Sequence, residues 1–77
     1  MIELIECEDN VVTMENIGNI VRKLRLEKDM SQMDLSTKAG VAPYTTFHIE
    51  KGKNSNFATV LFILDALDYE LVLRRKL

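Results

Sequence analysis

The sequence predicts a mainly α domain: a bundle of about four helices followed by a short C-terminal β-strand. Three observations carry the prediction. Ile17, Ile20, Val21 and Leu24 recur at the i, i+3, i+4, i+7 spacing of an amphipathic helix. Phe57, Val60, Leu61, Leu64 and Leu67 give a second apolar pattern near the C-terminus. Between them, Ser31 to Gly52 (SQMDLSTKAGVAPYTTFHIEKG) holds start and stop signals for two short helices joined by a glycine turn.

Taken in order, residues 2–7 alternate weakly, Ile2 and Leu4 against Ile5 and Cys7, which allows a short strand. Thr13 or Asn10 is placed to open the first helix, which should reach about Lys28. Ser31 caps the next one through its hydroxyl, Asp34 completes a capping box, and Met30 and Leu35 form a hydrophobic staple. Gly40 stands where that helix must stop, because a left-handed residue costs a side chain extra energy. Pro43 starts the following helix without wasting an amide, so it should run from Pro43 to Lys51. After a loop at Gly52–Asn56, Asn56 caps a last helix that buries Phe57, Val60, Leu61, Leu64 and Leu67, and Asp68 ends it. Tyr69, Leu71 and Leu73 then alternate with Glu70, Val72 and Arg74 in the period of a strand. Such a strand needs a partner, either its symmetry mate or the N-terminal strand of the same or another chain. Tyr69, Leu71, Val72 and Leu73 are therefore the expected dimerisation residues. The chain divides into an acidic arm with a possible strand (1–12), a helical domain (13–67), and a C-terminal strand with a basic tail (68–77).

With 77 residues the chain makes one small domain, near the size where a single core is marginal and a homodimer supplies missing burial. Its 47% hydrophobic and 29% charged residues fit a folded protein and exclude a disordered tail. The single Cys7 cannot form an internal disulfide, no apolar run approaches the ~20 residues of a membrane span, and no basic flank precedes the early apolar residues. A cytoplasmic location, away from membranes, is expected. The net charge of −2 conceals an uneven distribution. Residues 1–10 hold Glu3, Glu6, Glu8 and Asp9 and no Lys or Arg, which leaves 10 basic against 8 acidic residues in the remainder.

The glycine-turn region resembles the lambda-repressor/Cro/XRE family of helix-turn-helix DNA-binding domains. Gln32, Leu35, Ala39, Gly40, Val41, Thr45, Ile49, Glu50 and Gly52 carry the resemblance, which spans residues 15–67. The tail from Ala66 to Lys76 (ALDYELVLRRK) is similar to the HipB-type antitoxin branch, in which a strand follows the last helix. The resemblance implies a dimeric repressor reading double-stranded DNA at an inverted repeat, with successive recognition helices about 34 Å apart. As an antitoxin it would also hold a cognate toxin, of the HipA kinase type.

It implies roles by position. Pro43, Tyr44, Thr45, Phe47 and His48 would approach the bases. His48 can donate to guanine or accept from an adenine or cytosine amino group, Tyr44 can act through its hydroxyl, Thr45 through a phosphate or a thymine methyl, and Phe47 only through apolar contact. Gln32, Lys51, Lys53 and Asn54, with Ser55 beside them, would meet the sugar-phosphate backbone. Arg25 and Glu50 match a structural ion pair joining the first helix to the end of the recognition helix.

Three departures from the family pattern stand out. Ala42 replaces the capping Ser or Thr, Thr46 takes a core aliphatic position, and Phe47 takes an outward position that is ordinarily small or polar. Phe62 also falls on an outward side, and two outward aromatics invite a protein partner. The alternative function is therefore an interaction module, for a toxin or for dimerisation, that keeps the fold without binding DNA. Enzyme chemistry is not expected, since His48 and Cys7 lie far apart in sequence and no phosphate loop or ligand cluster accompanies them. No metal or cofactor is expected either.

Overall fold

A computed structural model describes residues 13, 16–53, 56–72 and 75. The expected N-terminal strand, the alternative opener Asn10, the loop residues Asn54 and Ser55, and Leu73 and Arg74 lie outside the described residues. Among the described residues four helices follow one another: α1 (Ile17–Glu27), α2 (Gln32–Ala39), α3 (Thr45–Glu50) and α4 (Phe57–Ala66). The molecule is mainly helical, as expected.

Thr13 opens the approach to α1. Its N–H donates to Asn16 Oδ1 at 2.7 Å, the Asn16 N–H donates back to Thr13 Oγ1 at 3.2 Å, and the Ile17 N–H reaches the Thr13 carbonyl at 3.1 Å. Reciprocal bonds of this kind satisfy amides that a helix start leaves unpaired. The capping box at α2 forms as expected: the Asp34 N–H donates to Ser31 Oγ at 2.9 Å and the Ser31 N–H to Asp34 Oδ2 at 3.2 Å. At α4 the Thr59 N–H donates to Asn56 Oδ1 at 2.8 Å.

Each helix is closed by a residue of positive φ: Asp29 (55°), Gly40 (74°), Gly52 (82°) and Asp68 (66°). After α4, for example, the Asp68 N–H donates to the Asp65 carbonyl and the Tyr69 N–H to the Leu64 carbonyl, both at 2.9 Å. These bonds satisfy carbonyls that have no partner within the helix. Asp68 also meets Lys28 Nζ at 3.0 Å, and this hydrogen bond holds its carboxyl below the ordinary value. The pair is exposed and contributes little.

Two expectations require correction at this level. Pro43 lies in the turn before α3, which begins at Thr45. The Thr45 N–H bonds to the Ala42 carbonyl at 3.0 Å and Tyr44 has φ −96°, ψ 9°, so proline occupies the second position of a β-turn that its fixed φ suits. In addition, the described residues contain no strand. Tyr69 to Val72 alternate in sequence, but a ladder requires a second backbone. The Tyr69 amide is already committed to closing α4.

The core is formed by Val21, Leu24, Leu35, Ile49, Ile63, Ala66 and Leu67, with Ile17, Ile20, Met30, Ala39, Val41 and Val60 packed on it. Here α1 packs on α3, while α2 packs on both α3 and α4. The inward face of α4 differs from the expected one: Ile63, Leu64, Ala66 and Leu67 are buried, whereas Phe57 and Leu61 are exposed. Periodicity could not select a face because FATVLFILDA is apolar nearly all round, and packing against Leu35 and Ile49 made the choice.

Candidate nucleic-acid interface

Six residues of α3 must both anchor in the core and present a surface. Thr46 and Ile49 point inward and are buried. On the opposite side Tyr44, Phe47, His48 and Lys51 are exposed, at the i, i+3, i+4, i+7 spacing that puts four side chains on one helical stripe. Pro43 is exposed beside them and Thr45 is half-buried at the flank. The rings of Phe47 and His48 meet edge to face with centroids 5.6 Å apart, and Lys51 Nζ lies 5.2 Å from the Phe47 ring centroid. Phe47 is thus in contact with both polar neighbours on the stripe, in a cation–π contact worth roughly 0.5–1 kcal/mol at an exposed site.

The opposite side of α3 is held by two polar networks. Arg25 Nε donates to Glu50 Oε2 at 2.7 Å and Nη2 to Glu50 Oε1 at 3.1 Å, while Nη1 donates to the Met30 carbonyl at 2.8 Å. The two side chains are only 10% and 5% exposed. The hydrogen bond to Glu50 pushes the guanidinium further above its ordinary value. Gln32 Nε2 joins by donating to Glu50 Oε1 at 3.0 Å. One amide hydrogen of Gln32 is therefore committed inside the fold, and the half-buried side chain is fixed beside the C-terminal end of α3.

The second network was not foreseen. Ser36 Oγ and Thr46 Oγ1 share a hydrogen bond at 2.8 Å, and the Thr46 N–H donates to Ser36 Oγ at 3.2 Å, with both residues fully buried. Two of the departures are explained together. The start of α3 has no side-chain cap of its own, and a serine from α2 accepts one of its unpaired amides instead. Thr46 can occupy an apolar position because its hydroxyl has a partner. The sequence signal was a pair of small hydroxyl residues at two inward positions.

A double-mutant cycle should expose this coupling. Ser36→Ala and Thr46→Val are each expected to cost about 1–3 kcal/mol by leaving a buried polar group unpaired, and the double variant should lose clearly less than their sum. Urea denaturation measures all three, and strictly additive losses would refute the coupling.

Gly18 is a second contributor that the expected elements do not include. A Cβ there would stand 2.5 Å from the Ile49 carbonyl oxygen and 3.0 Å from that of Glu50, so α1 approaches the end of α3 backbone to side-chain-free backbone. A glycine inside an otherwise good helix was the available signal.

Lys53 is exposed just past α3, whereas Asn54 lies outside the described residues. Among the described residues no group of three His, Cys, Asp or Glu could hold a metal ion, and no described helix is long and apolar enough to cross a membrane. No family model matches the chain, and no curated protein matches it in sequence.

Proposed function

We propose that this chain is a sequence-specific DNA-binding regulator of the lambda-repressor/Cro/XRE type, acting as a homodimer on an inverted repeat. The observation that supports it most is the division of α3 into two sides. A locked inner side (Thr46, Ile49, Glu50) holds an outer stripe of Tyr44, Phe47, His48 and Lys51 in the open. A short helix held in this way can enter a major groove with its side chains preorganised. In this reading Tyr44 and His48 read base edges, Pro43, Thr45 and Phe47 supply close contacts, and Gln32, Lys51, Lys53 and Asn54 meet the backbone.

Fluorescence anisotropy on the chain's own promoter region and on scrambled DNA, across a salt series, tests it. Binding that weakens with salt and prefers an inverted repeat supports the proposal. Absence of binding at low salt refutes it. Tyr44→Ala and His48→Ala should reduce discrimination between sites by about 1–3 kcal/mol each. Gln32→Ala and Lys53→Ala should weaken binding to all sequences, and Lys53→Ala should flatten the salt dependence. Equal losses on every sequence from all four variants would overturn the division of roles.

The second reading, a protein-interaction module such as a toxin-binding antitoxin, is favoured by the aromatic ring of Phe47 at the centre of the stripe and by the acidic balance. Its HipB-type form leans on a C-terminal strand, and residues 69–72 hold none. Toxin affinity without DNA affinity would identify it.

A further inference from the structure

Phe47 lies in the middle of the α3 stripe and has no group that can hydrogen-bond. It remains 37% exposed, on the side of α3 opposite the buried Thr46 and Ile49. Its ring is nevertheless held. The His48 ring meets it at a centroid distance of 5.6 Å and an interplanar angle of 65°, and Lys51 Nζ lies over it at 5.2 Å from the centroid. A ring braced by its own stripe loses little rotamer freedom when the stripe enters a groove.

The major groove presents donors and acceptors along its floor, and its one apolar group is the C5-methyl of thymine. A phenyl ring set against a donor or an acceptor strips that group of water and returns no hydrogen bond. Set against the methyl, the same ring buries apolar surface on both sides. We infer that Phe47 is a specificity-determining residue that reads a thymine C5-methyl, so that each half-site of the operator holds a thymine that a pyrimidine without the methyl cannot replace. The contact between the rings of Phe47 and His48 also fixes where that thymine lies. Centroids 5.6 Å apart span less than two base-pair steps of ~3.4 Å, which places the thymine within about two base pairs of the base edge met by His48.

The inference rests on the DNA-binding reading and names the group that this reading recognises. It also gives the outward phenyl ring a role other than contact with a protein.

Fluorescence anisotropy at fixed salt tests it, comparing the labelled promoter region amplified with dTTP against the same fragment amplified with dUTP, which lacks only the thymine methyls. The dissociation constant of the wild-type chain should rise about 4-fold on the uracil fragment for each copy bound, and on the order of 15-fold for two copies, from the apolar burial of one methyl each. Phe47→Ala should bind the thymine fragment more weakly and show no further loss on uracil. Phe47→Leu, which keeps an apolar side chain, and Thr45→Ser should both retain the uracil penalty. Equal binding of the wild-type chain to the two fragments overturns the inference without need of any variant, and is the result expected of a ring wedged between bases from the minor groove. A penalty that persists in Phe47→Ala, or that disappears in Thr45→Ser, assigns the methyl to another residue and overturns the inference while the proposed function stands. Single thymine-to-uracil exchanges then locate the thymine, and a sensitive position far from the one at which His48→Ala relaxes discrimination overturns the paired placement. Absence of binding to the thymine fragment at low salt removes the DNA reading, and the inference with it.

Discussion

Replacing Glu50 with alanine is expected to cost about 3 kcal/mol, with a fall in Tm on the order of 15 °C. The carboxylate is the partner of two Arg25 nitrogens and of the Gln32 amide, and its side chain and that of Arg25 are nearly excluded from water. Truncation leaves a charged guanidinium at a site where only the Met30 carbonyl still receives it. The cost is the desolvation of an unpaired charge more than the attraction that is lost. For a chain of this size, with ~4–12 kcal/mol of total stability, that is a large fraction. Replacing both partners, Arg25→Met with Glu50→Leu, should recover much of the loss because no charge is then stranded. Thermal and urea denaturation of the single and double variants checks both statements, and a single-variant loss under ~1 kcal/mol would mean that water screens the pair.

Gly18→Val is expected to cost about 3 kcal/mol or more, from overpacking against immovable backbone. The intruding carbon meets the Ile49 and Glu50 carbonyl oxygens, so no side-chain rotation relieves the contact and α1 must retreat from α3. Gly18→Ala should also destabilise, by roughly 1–2 kcal/mol, although helix propensity alone favours alanine by up to ~1 kcal/mol. The sign of that alanine variant in denaturant unfolding is decisive: a stabilised Gly18→Ala protein would show that the two helices do not approach this closely. Because Gly18 sits against the end of α3, its variants should weaken any function of the α3 stripe beyond the loss of folded protein.

The local signals were legible in the sequence, and a physical pattern links the successes. The Ser31–Asp34 box, the Gly40 and Asp68 helix ends and the Asn56 cap each depend on atoms a few residues apart. The Arg25–Glu50 pair was available only through the family resemblance, since nothing local joins residues 25 positions apart. The misses are of another kind. Phe57 and Leu61 were expected inside because α4 has no polar side to mark its outside. The Tyr69–Val72 alternation was genuine as a pattern, but a strand is a property of two segments. Ser36 and Gly18 went unnoticed because the meaning of each lies across a helix interface.

The sequence by itself determined that the chain is mainly helical, where two of the four described helices begin and where all four end, and that one short helix after the glycine turn would carry Tyr44 and His48 outward. Caps, turns and 3.6-residue periodicity act over a few bonds and are written in consecutive residues. Only the tertiary structure decided which side of α4 is covered, that a serine of α2 caps α3, and that Gly18 lets α1 approach the α3 carbonyls. Those outcomes depend on volume and on hydrogen-bond partners brought together from distant parts of the chain, and they exist only once the helices have packed.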